Sequence, residues 1–268
     1  MNTVIQSEIA LRCENVTVQF GALKAVDGIT YDFRKGSVYG LIGPNGAGKT
    51  TFLNALAGRL MRCEGRIDCN GTDVTRLGPH QRARYGIGRS FQITKIFSEM
   101  TVLENLRIAA QAGMRRWMPM WPSHAYDRRS AESVDSMLET TGLASHRNAI
   151  AGTLSYGLQR ALELGVTLMP NPSILLLDEP LAGVGHHEID VATTLIQRAS
   201  QDRTVLLIEH NMDVVMRLSE RVVVLAAGRI IADGLPHEIR DNEIVRSVYL
   251  GDDDDGESAH VAHEKVTA

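Results

Sequence analysis

Residues 43–50 read G-P-N-G-A-G-K-T, and this short segment constrains the fold more than any other part of the chain. An apolar stretch, V-Y-G-L-I, precedes it, and T-F-L-N-A-L-A-G follows it. Glycines tolerate the positive φ angles that turn successive backbone N–H groups toward one point, where they can surround a phosphate oxygen. The pattern G-x-x-x-x-G-K-[ST] therefore predicts a strand, a phosphate-binding loop and a helix. The alternative is a glycine-rich turn that merely joins a strand to a helix.

Each part of the predicted loop has a chemical task. The helix that begins near Lys49 directs the positive end of its dipole at the phosphate. Lys49 brings an ammonium group to the β- and γ-phosphates, and the Thr50 hydroxyl can bind Mg²⁺. The predicted ATP-binding residues of this segment are Gly43, Pro44, Asn45, Gly46, Ala47, Gly48, Lys49, Thr50 and Thr51.

The composition is that of an ordinary globular protein of 268 residues, with 44% apolar and 22% charged residues. A net charge of −4 gives no indication of a nucleic-acid partner. No apolar run approaches the ~20 residues that cross a bilayer, and the first residues do not resemble a signal peptide. The three cysteines, none in a CxxC pattern, predict reduced thiols in a cytosolic protein.

Strand-like and helix-like segments alternate along most of the chain. The predicted strands lie at 16–20, 38–42, 174–177, 204–208 and 221–225, and the predicted helices at 49–59, 186–200 and 211–219. Several strands are continuous apolar runs, as in a parallel sheet that is buried on both faces. The pattern predicts an α/β core with βαβ crossovers.

The middle of the chain follows a different pattern. Thr101 and Glu104 form a capping-box signature before an amphipathic segment, and residues 131–140 read as another helix. We therefore predict an α-helical subdomain at about 98–165, inserted into a domain that spans 8–250. Residues 251–268 are acidic and aperiodic, which predicts a disordered tail.

A second group of polar residues follows the apolar run I-L-L-L at 174–177. Asp178 and Glu179 come next, where the carboxyl ends of parallel strands meet the ligand crevice. Asp178 is the predicted Mg²⁺ ligand, and Glu179 the predicted general base for a water that attacks the γ-phosphate. The alternative is a strand that simply ends in exposed acids.

Residues 154–157, L-S-Y-G, resemble the signature motif of ATP-binding cassette (ABC) ATPases. The resemblance covers about residues 8–250 and implies a P-loop NTPase (RecA-like) core with an antiparallel β subdomain and an inserted α-helical subdomain. It implies that Phe20 stacks on adenine, that Gln92 touches Mg²⁺ and the attacking water, and that His210 contacts the γ-phosphate. Phe20 could instead be a core residue, and His210 a structural one.

The resemblance also implies that two subunits enclose each ATP. Ser155 and the N–H group of Gly157 would contact the γ-phosphate held by a partner subunit, although Ser155 could be only a helix N-cap. The chain departs from the family pattern at three positions. Tyr156 replaces a glycine and Leu158 a glutamine in the signature, and Gly185 stands where the family usually has aspartate or asparagine.

Finer features are similar to the ATPases of branched-chain amino acid uptake systems, and to the longer of their two ATPase subunits. These features include M-T-V-L-E-N-L at 100–106 and the ending P-H-E-I-R-D-N-E-I-V-R-S-V-Y-L-G at 236–251. The implied protein is a peripheral ATPase on the cytoplasmic face of the inner (plasma) membrane. Its expected partners are a second ABC ATPase subunit, membrane permeases and, indirectly, a substrate-binding protein. The alternatives are urea or other amide uptake, lipopolysaccharide export, and a non-transport ABC ATPase.

Overall fold

The computed structural model describes residues 8–60, 62–90, 96–114 and 124–248. The described strands are β1 (Ile9–Phe20), β2 (Leu23–Arg34), β3 (Val38–Ile42), β4 (Glu64–Cys69), β5 (Thr72–Asp73), β6 (Ile87–Arg89), β7 (Ile174–Asp178), β8 (Thr204–Ile208), β9 (Arg221–Ala226) and β10 (Arg229–Gly234). The described helices are α1 (Lys49–Leu56), α2 (Pro79–Arg84), α3 (Val102–Met114), α4 (His124–Thr140), α5 (Tyr156–Leu168), α6 (Ile189–Ala199), α7 (Met212–Leu218) and α8 (Pro236–Arg240).

The larger sheet has six strands in the order β10-β9-β3-β8-β7-β6. Its strands run parallel except for β10, which pairs antiparallel with β9. Every residue of β3, β7 and β8 is buried, because helices cover both faces of a parallel sheet of this kind. These three neighbouring strands bring the loops that follow them to one edge of the sheet.

The smaller sheet is antiparallel, with the strand order β2-β1-β4-β5. Helix α1 lies between the two sheets, in a core that includes Phe33 of β2, Tyr39 of β3 and Phe52 of α1. The rings of Phe33 and Phe52 are 6.5 Å apart, and those of Phe33 and Tyr39 are 5.0 Å apart. This packing fixes the helix that follows the predicted phosphate loop.

The helical lobe consists of α3, α4 and the amino-terminal half of α5. Its core contains Leu106, Leu138 and Leu162, each at most 2% exposed. Leu164 and Leu168, farther along α5, pack instead with the buried residues of β7 and β8. Helix α5 therefore belongs to the lobe at one end and to the parallel-sheet core at the other. None of the described helices is long and apolar enough to cross a membrane.

Several predicted elements differ from the structure at their ends. The predicted helix 49–59 ends at Leu56, since Gly58 has a φ angle of +73°. The predicted helix 186–200 begins with a 3₁₀ turn, His186–Glu188, before α6. The Thr101–Glu104 capping box is present, with Glu104 Oε2 accepting from the Thr101 N–H at 2.8 Å. The α/β core, the antiparallel subdomain and the helical lobe agree with the predicted architecture, whereas the exact domain boundaries stay a prediction.

Candidate nucleotide-binding site

The loop after β3 has the backbone geometry of an anion cradle. Gly43, Gly46 and Gly48 have φ angles of +146°, +77° and +98°. Lys49 Nζ donates to the carbonyl oxygens of Gly43 at 2.6 Å and Pro44 at 2.8 Å. The ammonium group is thus held over its own loop, where a bound phosphate would meet it.

Two of these glycines lie against backbone from other strands. A Cβ atom on Gly43 would approach the carbonyl oxygen of Leu225 to 2.0 Å, and one on Gly48 would approach that of Ala25 to 2.1 Å. Leu225 belongs to β9 of the parallel sheet and Ala25 to β2 of the antiparallel sheet. The loop is therefore held between the two sheets, in a conformation that side chains larger than hydrogen would disrupt.

The remaining residues of the predicted loop divide between surface and core. Asn45 is exposed at the tip, and Pro44 and Thr51 are half-buried. Ala47 is 2% exposed, and its methyl group packs into the main core. Ala47 therefore anchors the loop, and its carbonyl oxygen also accepts from the Gly228 N–H at 3.0 Å.

The predicted metal ligands Thr50 and Asp178 meet across the start of α1 and the end of β7. Thr50 Oγ1 donates to Asp178 Oδ1 at 3.3 Å, although the residues are 128 positions apart. The Asp178 side chain is fully buried, and burial raises the pKa of its carboxyl group. Arg89, at the end of β6, opposes that rise by donating to Asp178 Oδ2 at 3.0 Å. Sequence reasoning did not assign a role to Arg89.

The predicted base and the predicted histidine are in contact. His210 Nε2 lies 2.9 Å from Glu179 Oε1, and their side chains are 57% and 25% exposed. Glu179 has a φ angle of +50°, an uncommon conformation for a residue with a side chain. Its N–H donates to the Ile208 carbonyl at 2.9 Å, which ties the end of β7 to the end of β8. The strained backbone thus presents the Glu179 carboxylate beside His210 and toward solvent.

Glu209 is a further site residue that sequence reasoning missed. Its Oε1 accepts from the Leu181 N–H at 2.7 Å, and its Oε2 accepts from the His210 N–H at 3.2 Å. Burial raises the pKa of Glu209, and these two N–H groups oppose the rise. The buried carboxylate therefore joins the loop after Glu179 to the loop that carries His210. In the sequence, the place of Glu209 directly before His210, at the end of an apolar strand, could have indicated that it belongs to the site.

The structure describes Phe20 but not Gln92. Phe20, at the end of β1, is 54% exposed, which excludes the alternative that it is a core residue. An exposed ring is free to stack on a planar ligand. Gln92 lies outside the described residues, so its predicted contact with Mg²⁺ stays a prediction.

The signature residues lie at the start of α5. Ser155 is the N-cap, and its Oγ accepts from the Leu158 N–H at 3.4 Å. A Cβ on Gly157 would lie 2.6 Å from a carboxylate oxygen of Glu188, so this turn packs closely against the segment before α6. Within the described part of the chain, no hydrogen bond joins Ser155 or Gly157 to the phosphate loop. The histidines at 186 and 187 open this segment, and no described cluster of acids, histidines and cysteines could hold a metal there.

A cavity of about 420 Å³, open to solvent, lies between the helical lobe and the parallel-sheet core. Its wall is largely apolar and includes Leu158, Ala161, Leu164, Leu177, Leu181 and Ile196. The cavity therefore lies where α5, α6 and the end of β7 meet. It is separate from the phosphate loop.

Comparison with known proteins adds independent evidence. The family model described as "ABC transporter" matches residues 26–182, and that described as "Branched-chain amino acid ATP-binding cassette transporter" matches residues 229–255. The Pseudomonas aeruginosa high-affinity branched-chain amino acid transport ATP-binding protein BraF is 40% identical, over 90% of this chain and 98% of the relative. The Escherichia coli protein LivG, described in the same words, is 37% identical over 92% of this chain and 99% of the relative.

Solved structures agree with these sequence matches. An ATP-binding cassette of an ABC transporter, crystallised in its ADP conformation, superimposes with a TM-score of 0.75 and 33% identity. The match covers 91% of this chain and 99% of that structure. The predicted fold and the predicted family resemblance are confirmed. The chain therefore belongs to the ABC transporter family and is one of its ATP-binding subunits.

Proposed function

We propose that this chain binds and hydrolyses ATP in an importer for branched-chain or related amino acids. One observation carries the proposal of hydrolysis. The carboxyl ends of the adjacent strands β3, β8 and β7, with the loops after them, bring together the phosphate cradle, Asp178, and the pair Glu179–His210. The names of the relatives support the amino-acid substrate.

The residues present fit a magnesium ion. Thr50 Oγ1 and Asp178 Oδ1 are neighbouring oxygen atoms, and Mg²⁺ in nucleotide sites takes one or two protein oxygens together with phosphates. Bound there, the ion would neutralise charge that develops on the phosphate oxygens. Lys49 would leave the carbonyl groups of its own loop and donate to the β- and γ-phosphates.

The catalytic step requires a water that is positioned and deprotonated. Glu179 would accept its proton, and His210 Nε2, 2.9 Å from Glu179 Oε1, would hold the carboxylate in position. Glu209 would keep His210 in place, because its carboxylate accepts from the main-chain N–H of His210. The Glu179 and His210 side chains contact each other, while the Glu209 carboxylate accepts from the main-chain N–H groups of Leu181 and His210 and so supports the loops that carry the pair.

A second subunit completes the site in this proposal. The phosphate loop and the signature turn of one chain are separate, so each phosphate loop would face the signature turn of a partner. Ser155 and the amino-terminal end of α5 would then donate to the γ-phosphate. ATP would hold the two subunits together, and hydrolysis would release them. The membrane permeases, which receive this motion, place the subunit on the cytoplasmic face of the inner membrane.

Two measurements test the proposal. Lys49→Ala should abolish the binding or hydrolysis of ATP by the purified subunit, and retention of both would overturn the nucleotide assignment. For the substrate, a strain that lacks the gene should lose uptake of labelled leucine and regain it with the wild-type gene but not with Glu179→Gln. Unchanged leucine uptake together with lost urea uptake, or with defective lipopolysaccharide export, would redirect the assignment. Purification of the native complex would identify the permeases and the second ATPase.

A further inference from the structure

We propose that Arg89 is a positioning residue that holds Asp178 and α1 at the spacing that Mg²⁺·ATP requires. The Arg89 guanidinium donates from Nη2 to Asp178 Oδ2 at 3.0 Å and from Nη1 to Asn54 Oδ1 at 2.6 Å. These contacts join β6, β7 and α1. The inference rests on the proposed function, because it concerns the same two proposed Mg²⁺ ligands, Thr50 and Asp178.

Three side-chain hydrogen bonds and one turn of α1 form a closed ring. Thr50 and Asn54 are four residues apart on α1 and so lie on the same helix face. Thr50 contacts Oδ1 of Asp178, while Arg89 contacts Oδ2 and returns to α1 through Asn54. Arg89 thus fixes the rotation of the Asp178 carboxylate and leaves Oδ1 beside the Thr50 hydroxyl, the two oxygens that would hold the metal.

The energetics of the pair favour this function over a role in stability alone. The Arg89 and Asp178 side chains are 8% and 0% exposed, so both charges have lost most of their water. Buried ion pairs contribute little net stability, because desolvation offsets their attraction. Arg89 Nε is also buried and has no hydrogen-bond partner among the described residues. A buried donor without a partner destabilises the folded protein. Such a cost is expected where the charge of Arg89 is required by a functional site and not by the fold.

The experiment compares ATP affinity in excess Mg²⁺ with ATP affinity in EDTA, using purified subunit and a fluorescent ATP analogue. The dissociation constant in EDTA divided by that in Mg²⁺ gives the factor by which the metal increases ATP affinity, and this factor is the ratio compared between variants. Residues that orient a metal ligand typically contribute about 10–100-fold to metal affinity. We expect Arg89→Gln to reduce the ratio at least about tenfold, while affinity in EDTA, which depends on the phosphate loop, changes by less than about twofold.

Arg82 provides a matched control, because it is also a buried arginine beside α1. It is 1% exposed and donates to the carbonyl oxygens of Ala55 and Leu56 at 2.7 and 2.8 Å. Arg82→Gln should lower the melting temperature and leave the ratio unchanged. Arg89→Lys keeps the charge but not the planar fork, so it should restore the ratio only in part. Asn54→Ala, at a half-buried position, should reduce the ratio in the same direction by a smaller factor.

The outcomes separate this inference from the proposed function. If Mg²⁺ did not increase the ATP affinity of the wild-type subunit, the proposed function itself would be wrong. If it did, but Arg89→Gln kept the wild-type ratio or raised it, only the positioning role would be wrong. Should Arg89→Gln fail to fold, an unchanged ratio in both Arg89→Lys and Asn54→Ala would overturn the inference equally well.

Discussion

Replacement of Glu179 by glutamine separates the chemistry of the site from its folding. Glutamine has the same length and can adopt the same backbone conformation, whose φ angle is +50°. The main-chain hydrogen bond from residue 179 to Ile208, 2.9 Å long, does not depend on the side chain. The change therefore removes one negative charge and one proton acceptor, and little else.

The expected magnitudes follow from exposure and from the assigned role. A positioned general base contributes roughly 10²–10⁴-fold, so the turnover number should fall by that factor, or about 2.7–5.4 kcal/mol. The Glu179 and His210 side chains are 25% and 57% exposed. Loss of a partly solvated contact of this kind costs at most about 1 kcal/mol of unfolding free energy. Affinity for ATP should be maintained, because removal of a negative charge near the triphosphate does not weaken binding.

The assay measures ATP turnover, equilibrium ATP binding and urea unfolding on the same preparations, with Glu209→Gln as the comparison. Glu209 is 7% exposed and accepts two main-chain N–H groups, so an amide there places a donor against a donor. An unpaired buried donor costs about 1–3 kcal/mol of stability. Glu209→Gln should therefore lose stability and affect turnover less than Glu179→Gln does.

Two results would refute this reasoning. Turnover of Glu179→Gln within about threefold of wild type would remove Glu179 from the role of base, since even a weak base contributes more. A loss of stability as large as that of Glu209→Gln would show that the Glu179 contact supports the fold.

In size-exclusion chromatography, the Glu179→Gln variant should also accumulate as an ATP-bound dimer.

Three further predictions use the same preparations. Gly48→Ala, with its Cβ 2.1 Å from a carbonyl oxygen, should lose ATP binding and stability, whereas Gly46→Ala has open space around its Cβ and should cost only the ~1–2 kcal/mol of a positive φ angle. Arg82→Met removes the guanidinium from four carbonyl groups, of which that of Ala55 keeps the Gly58 N–H as a main-chain donor, and it should cost about 3–5 kcal/mol in urea unfolding; a cost below about 1 kcal/mol would contradict this account. Burial raises the pKa of Cys69 from 9.0 to about 11, so its alkylation at about pH 8 should be roughly a hundredfold slower in the native protein than after unfolding; equal rates would refute this.

The sequence predicted those site residues whose neighbours along the chain already define their position. The phosphate loop is one continuous segment, and Asp178, Glu179 and His210 each follow an apolar strand. Because parallel strands end at a common edge, their approximate convergence could be predicted without coordinates. The contact between Glu179 and His210, at 2.9 Å, agrees with that expectation.

Other features depended on contacts between distant segments. Strand β6 is only three residues long, and its pairing with β7, rather than any periodicity, defines it. Arg89 is 35 positions from Asn54 and 89 from Asp178, so its role required the folded geometry. Strand β2 has a mixed sequence, L-K-A-V-D-G-I-T-Y-D-F-R. Register shifts against β1 interrupt the alternation of buried and exposed side chains that would identify a strand.

The cavity between α5, α6 and the end of β7 has a mechanical consequence. Protein interiors are normally close-packed and resist compression, but this junction contains a cleft of about 420 Å³ that is open to solvent. An inward tilt of the helical lobe would expel water from this cleft instead of forcing protein atoms to overlap. Release of that water from a largely apolar wall would favour the tilted conformation. The resting shape of the subunit thus already contains the free space through which a moving lobe can travel.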